Sequence, residues 1–215
     1  MVYPIVKLSL LPIWRLWLRK VEGLDNVPKD EPFIIAANHS SYYDAILLHS
    51  IIIPKIDKKI HAMSDSYYWK FFILRIIFEL GENIPIFIRK EKNAKEKNKK
   101  ASEKALNYLK KSEIILIFPE GRRSPDGKLQ KAYTGIAKLA LKAKTPVLPI
   151  GIIGANKVLP RGAKLPRLTR CEVKIGKLIC FDQYYDVKTN GKVFEEVTRI
   201  IMKQIAKLIN QKYNY

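Results

Sequence analysis

The chain has 215 residues, 47% of them hydrophobic, which is enough to bury one sizeable core and excludes a disordered chain. The 40 Lys and Arg residues outnumber the 20 Asp and Glu, and the formal net charge of +20 predicts attraction to a polyanion, either a nucleic acid or an anionic lipid surface. The charge-free run near the start, Leu8 to Trp14, is far shorter than the roughly 20 residues of a spanning helix. No small-residue cleavage site follows it, so we expect neither a transmembrane segment nor a cleaved signal peptide there.

Residues 1–20 have the pattern of an amphipathic helix. At helical periodicity the apolar side chains share one broad face, and Lys7, Arg15, Arg19 and Lys20 lie mostly opposite. The apolar face consists of Leu10, Leu11, Ile13, Trp14, Trp17 and Leu18. Tryptophan and leucine on one side with cations on the other suit the headgroup region of a membrane. The alternative is an ordinary helix that packs on the core.

The next segments predict a strand and two helices. Phe33 to Ala37 is a continuous apolar run, typical of a buried strand, and it leads into His39. Helices are predicted from Ser41 to Ile52, and from Asp65 or Ser66, either of which is a good N-cap, to Leu80. The second helix is apolar nearly all round and has six aromatic residues, so it either packs inside the core or lines a groove for an apolar chain.

The rest of the chain alternates strands with helices. Predicted strands are Ile84 to Arg89, Ile114 to Phe118, Val147 to Ile153 and Cys171 to Ile179, and predicted helices are Ala94 to Lys111, Gly135 to Lys142 and Val193 to Leu208. Such alternation predicts an α/β fold with a single mixed, largely parallel β-sheet flanked by helices. The lysine-rich helix from Ala94 is interpreted as a solvated surface.

Among the three histidines, His39 is the one that ends a predicted strand, and Asp44 follows five residues later. On one continuous helix these positions are about 140° apart, so they can meet only if His39 lies in the loop and Asp44 in the first helical turn. An aspartate so placed fixes the tautomer of the imidazole and stabilises the imidazolium that forms when the other nitrogen takes a proton. The pattern predicts a general base, although a purely structural pair has the same spacing.

The segment Phe118 to Ser124 places an acid, a glycine and two arginines at the carboxyl end of another buried strand, where ligands bind in open α/β sheets. Gly121 allows the backbone to approach a ligand closely, and Arg122 or Arg123 can hold a phosphate by paired N–H bonds. Glu120 can accept a hydrogen bond from a substrate hydroxyl or orient an arginine. The alternative is a surface turn whose arginines point into solvent.

Four blocks of the sequence, in this order, resemble the glycerophospholipid acyltransferases, and among them the bacterial 1-acylglycerol-3-phosphate acyltransferases. Asn38 to Asp44 resembles their His-x-x-x-x-Asp motif, and Gly81 to Arg89, Phe118 to Gly121 and Val147 to Gly151 resemble their later motifs. The resemblance covers about residues 21 to 210. It implies the glycerolipid acyltransferase fold, with residues 1–20 as a membrane-associating segment and residues 21–215 as the catalytic domain.

The resemblance also implies a role for each matching residue. His39 is the base and Asp44 its partner. The glycerophosphate is bound by Arg89, Glu120, Gly121, Arg123 and, at the position after the glycine where the family usually has threonine, Arg122. Pro149 shapes the acyl pocket. No metal or cofactor is implied, because acyl-CoA or an acyl carrier protein brings the acyl group as a substrate.

The implied reaction is direct acyl transfer from a thioester to the sn-2 hydroxyl of 1-acylglycerol-3-phosphate, forming phosphatidic acid. Amides at the helix N-terminus after His39 are candidate donors to the oxyanion. The expected partners are a lysophospholipid, an acyl thioester and a membrane, with the protein peripheral or monotopic at its cytoplasmic face and no specific nucleic acid. Glycerol-3-phosphate, a lyso-ornithine lipid or a lipid A precursor fits the shared motifs as an alternative acceptor. From another class, the alternative is a basic binding protein without chemistry.

Overall fold

The computed structural model describes residues 13–88, 91–160, 162–163, 165–185 and 187–215. Within these residues the strands are β1 Leu18–Glu22, β2 Ile34–Ala37, β3 Ile60–Asp65, β4 Ile84–Ile86, β5 Ile114–Ile117, β6 Val147–Ile153 and β7 Cys171–Ile175. The helices are α1 Tyr43–Ile56, α2 Phe72–Leu80, α3 Ala94–Lys110, α4 Gly135–Ala143, α5 Ala155–Val158 and α6 Gly191–Leu208. Short 3₁₀ helices lie at Leu24–Asn26, Ser66–Lys70 and Asp182–Tyr184.

The described strands form one sheet in the order β1-β7-β6-β2-β5-β3-β4. Strand β2 is parallel to both of its neighbours, β5 and β6, and β3 is parallel to β4 and β5. Strand β7 is antiparallel to β6 and parallel to β1. The predicted single mixed, largely parallel sheet is therefore confirmed. Strands β2 and β5 are parallel, and Ala36 lies beside Ile117. The loops that follow the two strands therefore leave the sheet side by side, at the carboxyl ends of the strands.

Helices cover both faces of the sheet. Helices α1 and α5 pack on one face, and α3, α4 and α6 pack on the other. Successive side chains of a strand point to opposite faces, so Ile34 and Ile35 of β2 belong to different halves of the core, and both are fully buried. Burial on both faces explains why the central strands are continuous apolar runs and were predictable as strands.

Strands β1 and β3 were not predicted, and β1 corrects the interpretation of the N-terminal segment. The helix predicted to reach Lys20 ends before Leu18, where β1 begins, and the boundary after residue 20 falls inside this strand. Arg19 and Lys20 remain exposed because β1 is at the edge of the sheet. The last residues of the predicted membrane segment therefore belong to the sheet.

The two tryptophans of this segment also face inward. The rings of Trp14 and Trp17 lie 6.1 and 6.3 Å from the ring of Tyr43, between centroids, and both residues pack against the core. In the described part of this segment, the exposed apolar side chains are instead Ile13 and Leu16. Residues 1–12 lie outside the described residues, so a membrane role for residues 1–20 stays a prediction.

The aromatic segment after β3 differs from the single buried helix that the sequence suggested. Asp65 caps the 3₁₀ helix at Ser66–Lys70 by accepting a hydrogen bond from the amide of Tyr67 at 3.0 Å, and α2 starts only at Phe72. No residue of α2 is buried, so the first of the two alternatives, a helix packed inside the core, was wrong for this part. Across the described part of the chain, no helix has the length and apolar content needed to cross a membrane.

Candidate active site

Asn38 holds the end of β2 against β6. Its side-chain Nδ2 donates to the carbonyl of Ile152 at 2.9 Å, and its Oδ1 accepts from the amide of the same residue at 2.7 Å. These two bonds continue the pairing of the strands beyond Ala37 by means of a buried side chain. The position of the next residue, His39, is thereby set by the sheet.

His39 and Asp44 meet in the way their spacing requires. His39 lies in the loop after β2, Asp44 lies in the first turn of α1, and Nδ1 of the histidine is 2.8 Å from Oδ2 of the aspartate. The carboxylate is fully buried, whereas the side chain of His39 is 20% exposed. With Asp44 as acceptor, Nδ1 carries the proton, which leaves the lone pair of Nε2 to take a proton from a substrate.

The Asp44 carboxylate is stabilised by the start of its own helix. Besides His39, its Oδ2 accepts hydrogen bonds from the amides of Ser40 at 2.7 Å and Ser41 at 2.8 Å. The positive end of the α1 dipole also attracts a carboxylate at this place. Among the described residues, Asp44 Oδ1 is buried and has no hydrogen-bond partner. All three donors therefore converge on the oxygen that holds His39.

Three amides at the N-terminus of α1 have partners within the loop. Those of Ser40 and Ser41 donate to Asp44, and the amide of Tyr43 donates to Oγ of Ser41 at 3.1 Å. These hydrogen bonds fix the loop that carries His39. The expected donation of amides in this segment to the oxyanion stays a prediction.

Glu120 connects the loop that follows β5 to the loop that follows β2. Its Oε1 accepts from the amide of His39 at 2.9 Å, its Oε2 accepts from the amide of Gln130 at 2.7 Å, and the residue is 1% exposed. The amide of Ser124 donates to the carbonyl of His39 at 2.8 Å, which adds a second bond between the loops. These bonds give Glu120 a positioning role, and its expected contact with the glycerophosphate stays a prediction.

Burial raises the pKa of Glu120 to about 7, against the opposing effect of the two amide hydrogen bonds. Because the folded-state pKa is above the ordinary value of 4.5, the stability that Glu120 contributes is complete below pH 4.5 and is lost as the pH rises through 7. The difference corresponds to about 3 kcal/mol.

We therefore expect the wild-type free energy of unfolding to fall, relative to that of Glu120→Gln, between about pH 5 and pH 8, because glutamine mimics the protonated acid and cannot titrate. Denaturant unfolding at several pH values measures both curves. Glu103→Gln, an exposed change on α3, is the control and should run parallel to wild type. Parallel curves for wild type and Glu120→Gln would show that the carboxyl does not titrate in this range.

Arg123 is the arginine placed at the site. Its guanidinium carbon lies 3.5 Å from the centroid of the Tyr42 ring, and its Nη1 is buried with no hydrogen-bond partner among the described residues. A buried guanidinium donor without an acceptor is costly unless an anion binds it. Arg122, in contrast, is exposed and donates to Oε1 of Gln130 at 3.3 Å.

Gly121 is required by the backbone. Its φ is +65°, and a Cβ on this residue would lie 2.9 Å from the ring of Tyr133. The close approach inferred from the sequence is thus to a side chain of the protein itself. The amide of Tyr133 donates to the carbonyl of Pro119 at 2.9 Å, so the ring is held over the turn.

One predicted site residue, Pro149, is not brought to His39. Pro149 lies within β6 beside Ala36 and lines an open groove with Gly176 and Leu208, on the face of the sheet covered by α6. Its predicted contact with an acyl chain remains untested. Arg89 lies outside the described residues.

Three aromatic residues at the site were missed by the sequence interpretation. The ring of Phe118 stacks on His39 with centroids 4.0 Å apart and 16° between planes. The rings of Tyr42 and Tyr68 meet edge to face at 6.1 Å, and burial raises the pKa of Tyr68 to about 12. Phe118 was visible as the last apolar residue before the Pro-Glu-Gly turn, but its contact depends on β5 lying next to β2.

A His–Asp pair and an arginine lie at the carboxyl ends of the parallel strands, where the active sites of α/β enzymes are found. A family model described as Acyltransferase matches residues 18–153, and the chain belongs to this family. The crystal structure of the 1-acyl-sn-glycerophosphate acyltransferase PlsC from Thermotoga maritima has the same fold, with a TM-score of 0.68, 20% sequence identity, and coverage of 98% of this chain and 84% of that one.

Curated proteins with similar sequences have related names. The chain is 27% identical over 158 residues to the chloroplastic 1-acyl-sn-glycerol-3-phosphate acyltransferase of Arabidopsis thaliana, covering 73% of this chain and 41% of that protein. It is 31% identical over 133 residues to the 1-acyl-sn-glycerol-3-phosphate acyltransferase of Pseudomonas aeruginosa, covering 61% of this chain and 48% of that protein. The matches therefore span less than half of the length of these relatives.

Proposed function

We propose that this protein transfers an acyl chain from an acyl thioester to the sn-2 hydroxyl of 1-acylglycerol-3-phosphate and forms phosphatidic acid. The observation that carries the proposal is the 2.8 Å contact between His39 and a buried carboxylate, beside the unpartnered guanidinium N–H of Arg123. The names of the relatives support the acceptor. Their 1-acyl-sn-glycerol-3-phosphate is an amphiphile with a phosphate and a free hydroxyl, which suits a base beside an arginine.

In the proposed mechanism Nε2 of His39 removes the proton of the acceptor hydroxyl while its oxygen attacks the thioester carbonyl carbon. The carbon–sulfur bond then breaks, the thiol leaves with the proton held by the imidazolium, and an ester remains on the acceptor. Asp44 stabilises the imidazolium in between. The thioester is already an activated acyl group, so the proposed reaction needs no cofactor, and either acyl-CoA or an acyl carrier protein can deliver it.

The acceptor and product of this reaction reside in a bilayer, so the protein must work at a membrane surface. We propose peripheral association with the cytoplasmic face, where anionic lipids attract a chain of net charge +20. The residues 1–20 remain candidates for this contact, with Ile13 and Leu16 as their exposed apolar members among the described residues.

Thioester consumption with a panel of acceptors tests the proposal. The panel contains 1-acylglycerol-3-phosphate, glycerol-3-phosphate, a lyso-ornithine lipid, a lipid A precursor and a phosphate-free monoacylglycerol, each with acyl-CoA and with acyl carrier protein as donor. We expect 1-acylglycerol-3-phosphate to give the highest kcat/KM. A preference for another acceptor would reassign the substrate. If no acceptor is turned over, the alternative of a basic binding protein without catalytic activity would be favoured.

Arg123→Ala is expected to raise the KM for 1-acylglycerol-3-phosphate at least about tenfold, since a hydrogen bond between charged groups is worth about 1.5–3 kcal/mol. The KM for the acyl donor should change little. Steady-state kinetics with both substrates varied measures the two constants. Arg170→Ala, which removes an exposed arginine before β7, is the matched control. An equal rise for donor and acceptor would contradict a phosphate contact at Arg123.

A further inference from the structure

Helix α2 turns an apolar side to solvent. At about 100° per residue, five of its side chains fall within an arc of about 140°. They are Phe72 at 76% exposure, Ile73 at 71%, Ile76 at 42%, Ile77 at 54% and Leu80 at 70%, and we call them the α2 apolar face. The inner side is formed by Leu74 and Phe78. A contiguous exposed apolar surface of this kind marks an interaction site.

The α2 apolar face is joined to the candidate active site by a short series of ring contacts. Phe78, on the inner side of α2, lies 6.1 Å from Tyr68, and Tyr68 lies 6.1 Å from Tyr42, between ring centroids. The guanidinium of Arg123 stacks on Tyr42. A ligand of the α2 apolar face is therefore close to Arg123, which we assign to the acceptor phosphate.

The surroundings of the face are cationic and aromatic. The 3₁₀ helix that precedes α2 contributes Tyr67, Tyr68, Trp69 and the exposed Lys70, whose Nζ lies 5.8 Å from the centroid of the Tyr67 ring. On α2 itself, Arg75 pairs with Glu79 at 2.8 Å along the flank, so the charges of that helix do not interrupt the apolar arc. Apolar side chains bordered by tryptophan, tyrosine and lysine are typical of helices that lie in the headgroup region of a bilayer.

We propose that the α2 apolar face inserts into the headgroup region of an anionic phospholipid bilayer and thereby docks the active site on the membrane. This docking surface rests on the proposed function, in which the acceptor resides in the bilayer. Charge favours this occupant over a second copy of the chain, since two molecules of net charge +20 repel each other whereas an anionic surface attracts each of them. A single helix of nine residues is also too small for a stable dimer interface, which buries about 1,200–2,000 Å².

The test is co-sedimentation of the full chain with vesicles of phosphatidylcholine, with and without one quarter phosphatidylglycerol, in the absence of substrate. The test variant is Phe72→Gln with Ile73→Gln, because both side chains are exposed and glutamine retains helix propensity. The matched control is Leu165→Gln with Leu168→Gln, which changes two leucines that are 78% and 104% exposed outside α2. We expect at least about a tenfold loss of the partition constant for the test variant, less than twofold for the control, and weaker binding of wild type in salt or on neutral vesicles.

Equal partition of the test variant and wild type would overturn the proposal, and so would a partition that does not depend on phosphatidylglycerol. Sedimentation velocity without lipid gives the oligomeric state. A change from dimer to monomer in the test variant would assign the α2 apolar face to self-association and reject lipid docking. Acyl transfer to a short-chain soluble acceptor is measured separately, so vesicle binding without transfer would reject the proposed function and leave the docking surface standing. Circular dichroism verifies that each variant is folded.

Discussion

His39→Ala is expected to lower kcat by at least about 10²-fold while the affinity for the lysophospholipid changes little, because a general base acts on the transition state and not on the bound ground state. The fold should be retained, since the side chain is 20% exposed and its ring hydrogen-bonds, among the described residues, to Asp44 alone. Single-turnover rates and acceptor binding, measured on the same preparation, give the two quantities.

Added imidazole provides a control for this variant. Removing the ring leaves space beside Phe118, and free imidazole bound there can take the proton in place of His39. Partial recovery of turnover with imidazole, with a pH dependence that follows the added base, would support proton transfer. Turnover close to wild type in His39→Ala without imidazole would remove His39 from the mechanism.

Asp44→Asn is expected to lower kcat almost as much as the loss of His39. Its Oδ2 accepts from three donors, and an asparagine oxygen in that place can keep all three hydrogen bonds. What disappears is the negative charge that stabilises the imidazolium. Because the shape is preserved and a buried charge is removed, the unfolding temperature should stay close to that of wild type, so the loss of rate reports on the charge.

Two comparisons make this expectation specific. Asp25→Asn removes an exposed carboxylate that pairs with Lys55 and should leave kcat unchanged. The double variant with His39→Ala and Asp44→Asn should be about as slow as His39→Ala alone, because residues that act as a unit are strongly non-additive. If the two losses multiply, Asp44 acts independently of His39.

The comparison of strands shows why some elements were predictable. Strand β6 was predicted with the observed bounds, Val147–Ile153, and β2 and β5 within one residue at each end, because burial on both faces demands unbroken apolar runs. Strand β1 carries Arg19 and Lys20 and lies at the edge of the sheet, so no apolar run marks it. Its existence depends on β7, which is about 150 residues away in the chain.

Local spacing likewise determined the His–Asp pair but not its surroundings. His39 and Asp44 are five residues apart, so a loop followed by a helix is enough to bring them together. Glu120 is 81 residues from His39, and its bond to the histidine amide exists only because β2 and β5 are neighbours. For that reason the sequence could not indicate the hydrogen bond by which Glu120 connects the two loops.

By itself, then, the sequence determined the α/β class, the order of the central strands along the chain and the His39–Asp44 pair, all of which depend on periodicity or on contacts within a few residues. The family followed from the resemblance of four motif blocks. The tertiary structure decided which side chains are covered. It turned Trp14 and Trp17 inward against Tyr43 and left the apolar face of α2 in solvent, although both segments have similar apolar patterns. Periodicity defines the apolar side of a helix, but burial depends on whether another element packs there, and that is a property of the whole fold.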